Sequence, residues 1–341
     1  MLLKCWNKRC PETGVRRRLD MAVPLALAPM AGVSDLPFRL LARECGADVT
    51  ITEFTSSAGL SRAVANSWLK VESDPREKPF IPQIFGGDRN EMVQTVEMLQ
   101  DKADFIDLNF GCPAPKVTRI CAGAALMGVP DELVAIVDAC IDASEIPISA
   151  KLRMGTGYLN NNIVELAPRL EESGVFRLCV HGRTLKQKYD GKADWETIRQ
   201  VVDAVDIPVF ANGDIVDATS AQAFLNATGA AGLMIGRGAI GRPMVFHEIK
   251  TNLNWDPTPP PWGHTSNPFA IRSWCWNRYV KFAEETTGLQ RKWLNRHAIA
   301  FTKGLEGAKH ARSILSKEKD PATMAAGISK WLSEGRTLSE G

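Results

Sequence analysis

The chain has no apolar run approaching the about 18 residues that a membrane-spanning helix requires, so no membrane partner is expected. It has no cysteine framework either. Its eight cysteines, at positions 5, 10, 45, 112, 121, 140, 179 and 275, are dispersed, mostly within segments of strand or helix character. That dispersal excludes a disulfide-stapled fold and predicts reduced thiols in a cytoplasmic protein. Metal-ligand spacing is missing too: Cys5 and Cys10 lack a second pair, and Cys121 follows Cys112 by nine residues, so no metal site is expected. Net charge is only +2, with 45% hydrophobic and 23% charged residues, the composition of a soluble globular protein. The 341 residues suffice for one large domain and a smaller one.

The small net charge conceals an asymmetry. Residues 1–20 carry net +4 and residues 268–341 net +6, which leaves net −8 between them. A basic C-terminal module on an acidic body suggests a polyanionic partner; the competing reading is solvated helix faces, and salt-dependent binding separates the two. The stretch "VRRRLDMAVPLALAPMAGV" has the basic start and apolar centre of a secretory signal. Pro24 and Pro29 interrupt that centre, and the run fits a first buried strand better.

Eight short apolar or β-branched runs, at 25–30, 49–54, 80–86, 105–111, 147–154, 177–184, 207–214 and 232–239, predict strands. Between them lie stretches of helical period such as "RNEMVQTVEMLQDK" and "DWETIRQVVDAV". Eight strand–helix alternations predict an α/β fold, a (β/α)8 TIM barrel, with an open doubly wound sheet as the rival. After Lys250 the alternation stops. "NWDPTPPPWGHTSNP" holds five prolines in fifteen residues and reads as a linker, and the remainder has helical period. The predicted organisation is a basic leader (1–20), a barrel (21–252), a Pro-rich linker (253–268) and a small C-terminal all-helical domain (269–341).

In a barrel of this kind, functional groups sit at the C-terminal ends of the strands. Here those ends read "APMAG", "TEF", "QIFGG", "LNFGCP", "AKLRMG", "VHGRT", "ANGDI" and "IGRGA", polar or glycine-rich throughout. The last two would let backbone N–H groups approach an anion, with Asn212 and Gly213 in the cradle and Arg237 adding a charge-assisted contact. Lys151 and Arg153 share a strand face by their spacing of two, and His181 and Arg183 repeat the pattern. Such cations need an anion: a bound phosphate, a reduced flavin or an enolate, or else an internal salt bridge to Glu53 or Asp107. Gln83 and Asn109 suit the edge of a heterocycle. Cys112, between Gly111 and Pro113 at a strand tip, could be a nucleophile, a general acid, a metal ligand or inert.

Taken in order, "LAPMAGVSD", "TEF", "LNFGCPAPKV", "AKLRMG", "VHGRT", "ANGDI" and "IGRGAIGRP" resemble the tRNA-dihydrouridine synthases, and "RKWLNRHAIAFTKGLEGAKHARSIL" resembles their helical domain. The resemblance spans about residues 25–315. It implies an FMN-bound barrel, a helical domain that grips tRNA, and reduction of the uracil C5=C6 bond with NADPH as reductant. It further implies hydride transfer from flavin N5 to C6 and a proton from Cys112, acting as general acid, to C5. Carried over, Pro29, Met30 and Ala31 line the flavin, Gln83 and Lys151 contact its ring and ribityl region, and His181 lies near the ring. Asn212, Gly213, Asp214, Gly236 and Arg237 hold its phosphate end. Asn109 places the uracil, and Arg153 and Arg183 join it in binding the substrate. A base within folded RNA must be flipped outward to reach such a pocket. One domain pair suffices for this chemistry, so a monomer is expected.

The sequence departs from the family pattern in two places. Trp293 stands where the family often has a histidine, with His297 following, and asparagines replace the acidic residues that often follow the "R.G" element. Two rival functions remain. A flavin barrel acting on a free pyrimidine such as dihydroorotate would not need the basic helical domain, and a non-catalytic RNA-binding barrel would not need Cys112, Lys151 and His181.

Overall fold

A computed structural model describes residues 22–157, 161–256 and 258–338. The basic leader with Cys5 and Cys10, residues 158–160 of the asparagine-bearing loop, and Pro257 of the linker lie outside the described residues. The strands are β1 (Leu25–Leu27), β2 (Val49–Thr50), β3 (Thr55–Ser56), β4 (Gln83–Phe85), β5 (Ile106–Phe110), β6 (Ile148–Arg153), β7 (Arg177–His181), β8 (Val209–Asn212) and β9 (Gly232–Ile235). All pairings are parallel, in the order β2-β1-β9-β8-β7-β6-β5-β4-β3.

Both ends of that order belong to the segment 49–56, so β2 and β3 are two pieces of one barrel strand and the ring closes through it. The predicted strand 49–54 forms ladder only at Val49–Thr50, against β1, while Thr55–Ser56 beyond it pairs with β4. Between the pieces the segment changes neighbour: Thr52 N–H donates to Ile81 C=O at 3.1 Å, and Gln83 N–H to Thr52 Oγ1 at 3.0 Å. This closure makes a TIM barrel and sets aside the open doubly wound sheet.

The helices are α1 (Leu36–Glu44), α2 (Ser57–Ser61), α3 (Ala65–Trp68), α4 (Arg89–Leu99), α5 (Pro115–Thr118), α6 (Pro130–Asp142), α7 (Ile163–Glu172), α8 (Trp195–Ala204), α9 (Ala218–Thr228), α10 (Val245–Asn252), α11 (Pro268–Glu285), α12 (Arg291–Thr302), α13 (Ala308–Lys317) and α14 (Pro321–Leu338). Several start at side chains the sequence supplies for capping. The carboxylates of Asp88, Asp194 and Asp217 accept the N–H groups of Glu91, Thr197 and Ser220, and Asn267 caps α11. Among the described residues, no helix is long and apolar enough to cross a membrane.

Alternation along the parallel strands sorts the core into two shells. On β5, Ile106, Leu108 and Phe110 pack outward with helix residues such as Met92, Val96 and Ile136. Phe105 packs inward with Cys179, Phe210 and Met234. The interior is closed below by an unusual plug. The Arg177 guanidinium lies 4.9, 5.6 and 4.9 Å from the rings of Phe105, Phe176 and Phe210, and 3.9 Å from Asp107.

The C-terminal helices sit against the barrel's β1–α1 corner. α11 packs on α1, and α14 packs on α11 with Trp276 Nε1 donating to Ala325 C=O. α12 comes close to two glycines of positive φ, at Gly241 with its backbone and at Gly32 with the Arg296 side chain. A Cβ on Gly32 (φ 71°) would stand 1.9 Å from Arg296 Nη1, and one on Gly241 (φ 66°) would stand 2.3 Å from Ala300 C=O.

Candidate active site

A cavity of about 880 Å³ opens at the C-terminal ends of the strands. Thirteen of the fifteen residues implicated by the sequence line it: Pro29, Met30, Ala31, Asn109, Cys112, Lys151, Arg153, His181, Asn212, Gly213, Asp214, Gly236 and Arg237. Gln83 and Arg183 do not line it. Each lies behind the wall for a reason visible in its hydrogen bonds.

Gln83 is fully buried, its Nε2 donating to Asp107 Oδ2 at 2.6 Å and its Oε1 accepting from Asn109 Nδ2 at 2.6 Å. Asn109 in turn presents Oδ1 to the N–H groups of Gly111 (3.1 Å) and Cys112 (2.9 Å). The chain of amides thus fixes the turn that carries the thiol. For Arg183 the predicted spacing of two does not continue, because β7 ends at His181. The Arg183 N–H donates to His181 C=O at 2.7 Å, a tight turn that redirects the side chain. Its guanidinium instead bonds the carbonyls of Asp190 and Gly191 and pairs with Asp214 at 2.8 Å.

Lys151 and Arg153 do share the inner face of β6, as their spacing predicts, but neither pairs with Glu53 or Asp107. Lys151 Nζ donates to Asn212 Oδ1 at 3.2 Å. Arg153 is buried and gives its donors to the carbonyls of Gly111 (2.7 Å), Thr184 (2.9 Å) and Lys188 (2.7 Å). It therefore ties the Cys112 turn to the loop after β7. Asp107 is occupied below by Ser149, Gln83 and Arg177. Glu53 is buried, and burial pushes its carboxyl up, although the Gly32 N–H bonded to it acts the other way.

The charge pattern of the cavity is one-sided. Its lining carries Lys151, Arg153, Lys188 and Arg237 against one carboxylate, Asp214. Asp214 is already shared: burial opposes its ionisation, but Arg183, the Ala193 N–H and Arg237 outweigh that and hold it below the usual carboxylate range. Burial lowers Lys151, and Arg153 nearby lowers it further. His181 is driven to about 2 by burial and then by Lys151, Arg153, Arg183 and Arg237, so its ring is neutral. Burial raises the Cys112 thiol above its ordinary value of 9.0, more than the Ala114 N–H and the nearby Arg153, Lys116 and Lys151 lower it. The thiol therefore keeps its proton at neutral pH. Among the described residues, no group of three or more His, Cys, Asp or Glu could hold a metal.

Some of the mouth escaped sequence reasoning. Tyr189 lies over it, 53% exposed, with its ring 5.5 Å from the Arg153 guanidinium and 5.2 Å from that of Arg237. Its only sequence signal is the loop that follows "VHGRT". Asp35, Tyr279 and His297, which join α1 to the C-terminal helices, were also missed, since their contacts span 244 and 262 residues.

A TIM barrel whose strand ends build a cavity with cationic lining has the layout of the barrel enzymes, which place their active sites at the C-terminal mouth. The profile of the Dihydrouridine synthase (Dus) family matches residues 26–333. A probable tRNA-dihydrouridine synthase of Rhodobacter capsulatus is 36% identical over 322 residues, covering 93% of this chain and 96% of that one. The tRNA-dihydrouridine synthase B of Escherichia coli strain K12 is 40% identical over 238 residues, 70% of this chain and 74% of that one. The chain belongs to the tRNA-dihydrouridine synthase family, and is a flavin-dependent oxidoreductase.

Proposed function

We propose that the protein reduces the C5=C6 bond of uridines in tRNA to 5,6-dihydrouridine, using FMN and NADPH. The observation that carries this reading is the cavity's imbalance of four cations against one carboxylate around a thiol that keeps its proton. That imbalance fits FMN, which brings a phosphate and, when reduced, an anionic ring. Asn212, Gly213, Asp214, Gly236 and Arg237 would hold the phosphate end. Pro29, Met30 and Ala31 would flank the ring, with Lys151 and the neutral imidazole of His181 toward its polar edge. When bound, FMN reduced by NADPH supplies the hydride that uracil C6 accepts.

The remaining steps fall to the chain itself. As charge develops toward C5 and O4 of the base, C5 must gain a proton. Cys112 Sγ–H supplies it as a positioned general acid, and the thiolate so formed lies near Arg153, Lys116 and Lys151. Gln83 and Asn109 keep the Cys112 turn in place, and Arg153 and Arg183 hold the loops that frame the substrate. A base within folded RNA would have to leave its stack to reach the cavity. The barrel (21–252), Pro-rich linker (253–268) and helical domain (269–341) are read as separate units, the last binding tRNA phosphates by charge. The protein is read as a cytoplasmic monomer.

The test is direct. Protein purified under native conditions should be yellow with bound FMN, and should raise dihydrouridine, mapped by mass spectrometry, in tRNA from cells that lack it. Colourless protein that leaves tRNA unchanged, or comparable turnover of free uridine or dihydroorotate, would defeat the reading.

A further inference from the structure

The β1–α1 turn, residues 29–35, belongs to two places at once. Pro29, Met30 and Ala31 line the cavity. From the other side, α12 grips the same turn. Arg296 Nη1 donates to the Ala31 carbonyl and lies directly across Gly32, whose φ of 71° disfavours a side chain there. One residue on, His297 Nε2 lies 2.9 Å from Asp35 Oδ1, and the Tyr279 hydroxyl donates to Asp35 Oδ2 at 2.8 Å. Glu53 accepts the Gly32 N–H from below. The turn is thus held between the barrel and α12 at both ends.

The exposed side of α12 is basic and forms a shallow groove of Arg291, Lys292, Asn295, Arg296 and Ile299. Within that groove, Arg296 also bonds to Ala31 of the cavity wall. We propose that Arg296 is a positioning residue that couples polyanion binding on α12 to the shape of the active-site cavity. It rests on the reading of the cavity as a flavin and uracil site. A phosphate placed on the groove would fix the Arg296 guanidinium, and the guanidinium fixes Ala31, which lines the cavity. Loss of the contact misplaces the wall rather than removing a reacting group, and a misplacement of about 1 Å can cost about a hundredfold in rate.

The test compares wild-type protein, Arg296→Ala and Arg296→Lys, each full-length with bound FMN, on tRNA from cells lacking the protein. For Arg296→Ala we expect FMN to remain bound, with kcat at saturating tRNA lower by about tenfold to a hundredfold. Arg296→Lys keeps the groove charged, so it recovers KM for tRNA, but one ammonium does not replace the forked donor across Gly32 and kcat stays low. If Arg296→Ala instead changes KM alone, or Arg296→Lys restores kcat, Arg296 is only a phosphate contact and the proposal falls. Should alanine disrupt α12, the lysine variant decides by itself. Wild-type protein that binds no flavin overturns the cavity reading and this inference together.

Discussion

The barrel mouth and the corner where α1 meets the C-terminal helices both bury charge, and they treat it in opposite ways. At the corner most buried charges meet a partner. Arg39 and Glu77 form a fully buried pair at 2.6 Å, Asp35 faces Tyr279 and His297, and Arg278 and Arg76 reach across to Glu44 and Glu285. At the mouth the buried Lys151 and Arg153, with the exposed Lys188 and Arg237 beside them, face one carboxylate, and His181 is surrounded by positive neighbours. Matched burial serves architecture, because it costs desolvation and returns only geometry. Unmatched burial is expensive unless a ligand completes it. The contrast separates scaffold from site without reference to any relative.

The largest effect that could break this division is at Cys112. Cys112→Ala should retain FMN but lose about a hundredfold to ten-thousandfold in dihydrouridine formation, measured in single turnover with pre-reduced enzyme. Because the acid form is the one required, the wild-type rate should fall as pH rises through the thiol's raised value, above 9.0. Turnover unchanged in the variant would remove Cys112 from the chemistry. Next comes Arg39→Ala, which leaves Glu77 buried with Thr50 Oγ1 as its remaining partner and should cost about 3–5 kcal/mol in denaturant unfolding. Arg237→Ala at the mouth, half-exposed, should cost less than about 1 kcal/mol of stability while weakening FMN binding. Equal destabilisation by the two would erase the contrast.

A subtler test uses acid. His181 has its folded value depressed from 6.5 to about 2, so between those limits the unfolded chain binds the extra proton. Stability tied to His181 is therefore present above pH 6.5 and drains away as pH falls toward 2. Protein stripped of FMN should show a urea midpoint that drops between pH 7 and pH 5, and His181→Gln should flatten that drop. An anionic ligand in the cavity should also flatten it, by offsetting the cations that depress the histidine.

Much of the barrel could be read from the chain because parallel strands buried on both faces are short, apolar and punctuated by glycine. The inward direction of Lys151 and Arg153 followed from a spacing of two, which holds as long as the strand does. It failed at Arg183 because β7 stops two residues earlier and the backbone turns. The second strand was legible as a run but not as the seam of the ring, since only the closed barrel makes it change neighbours between Thr50 and Thr55. Arg177 shares the inner face by the same spacing, yet nothing local announces the three aromatic rings that receive it. Asp35 stood inside the quoted "LAPMAGVSD" without any sign of its partners, because tertiary contacts across more than 240 residues leave no local pattern.

The smallest effect probes the corner most finely. Tyr279 is fully buried, and burial, with Asp35 beside it, raises its phenol so that the hydroxyl remains a donor. Tyr279→Phe removes one hydrogen bond to Asp35 and leaves the ring packing, including its 4.3 Å approach to His297, in place. Leaving a buried polar oxygen without its donor costs about 1–3 kcal/mol, so denaturant unfolding should lose about that much. Asp35 also anchors the far end of the β1–α1 turn. If the turn links α12 to the cavity, Tyr279→Phe should lower kcat on tRNA by a few-fold while FMN affinity holds. A loss of stability with kcat intact would show that Arg296 alone sets the turn, and that the Asp35 cluster is scaffold like the Arg39–Glu77 pair behind it.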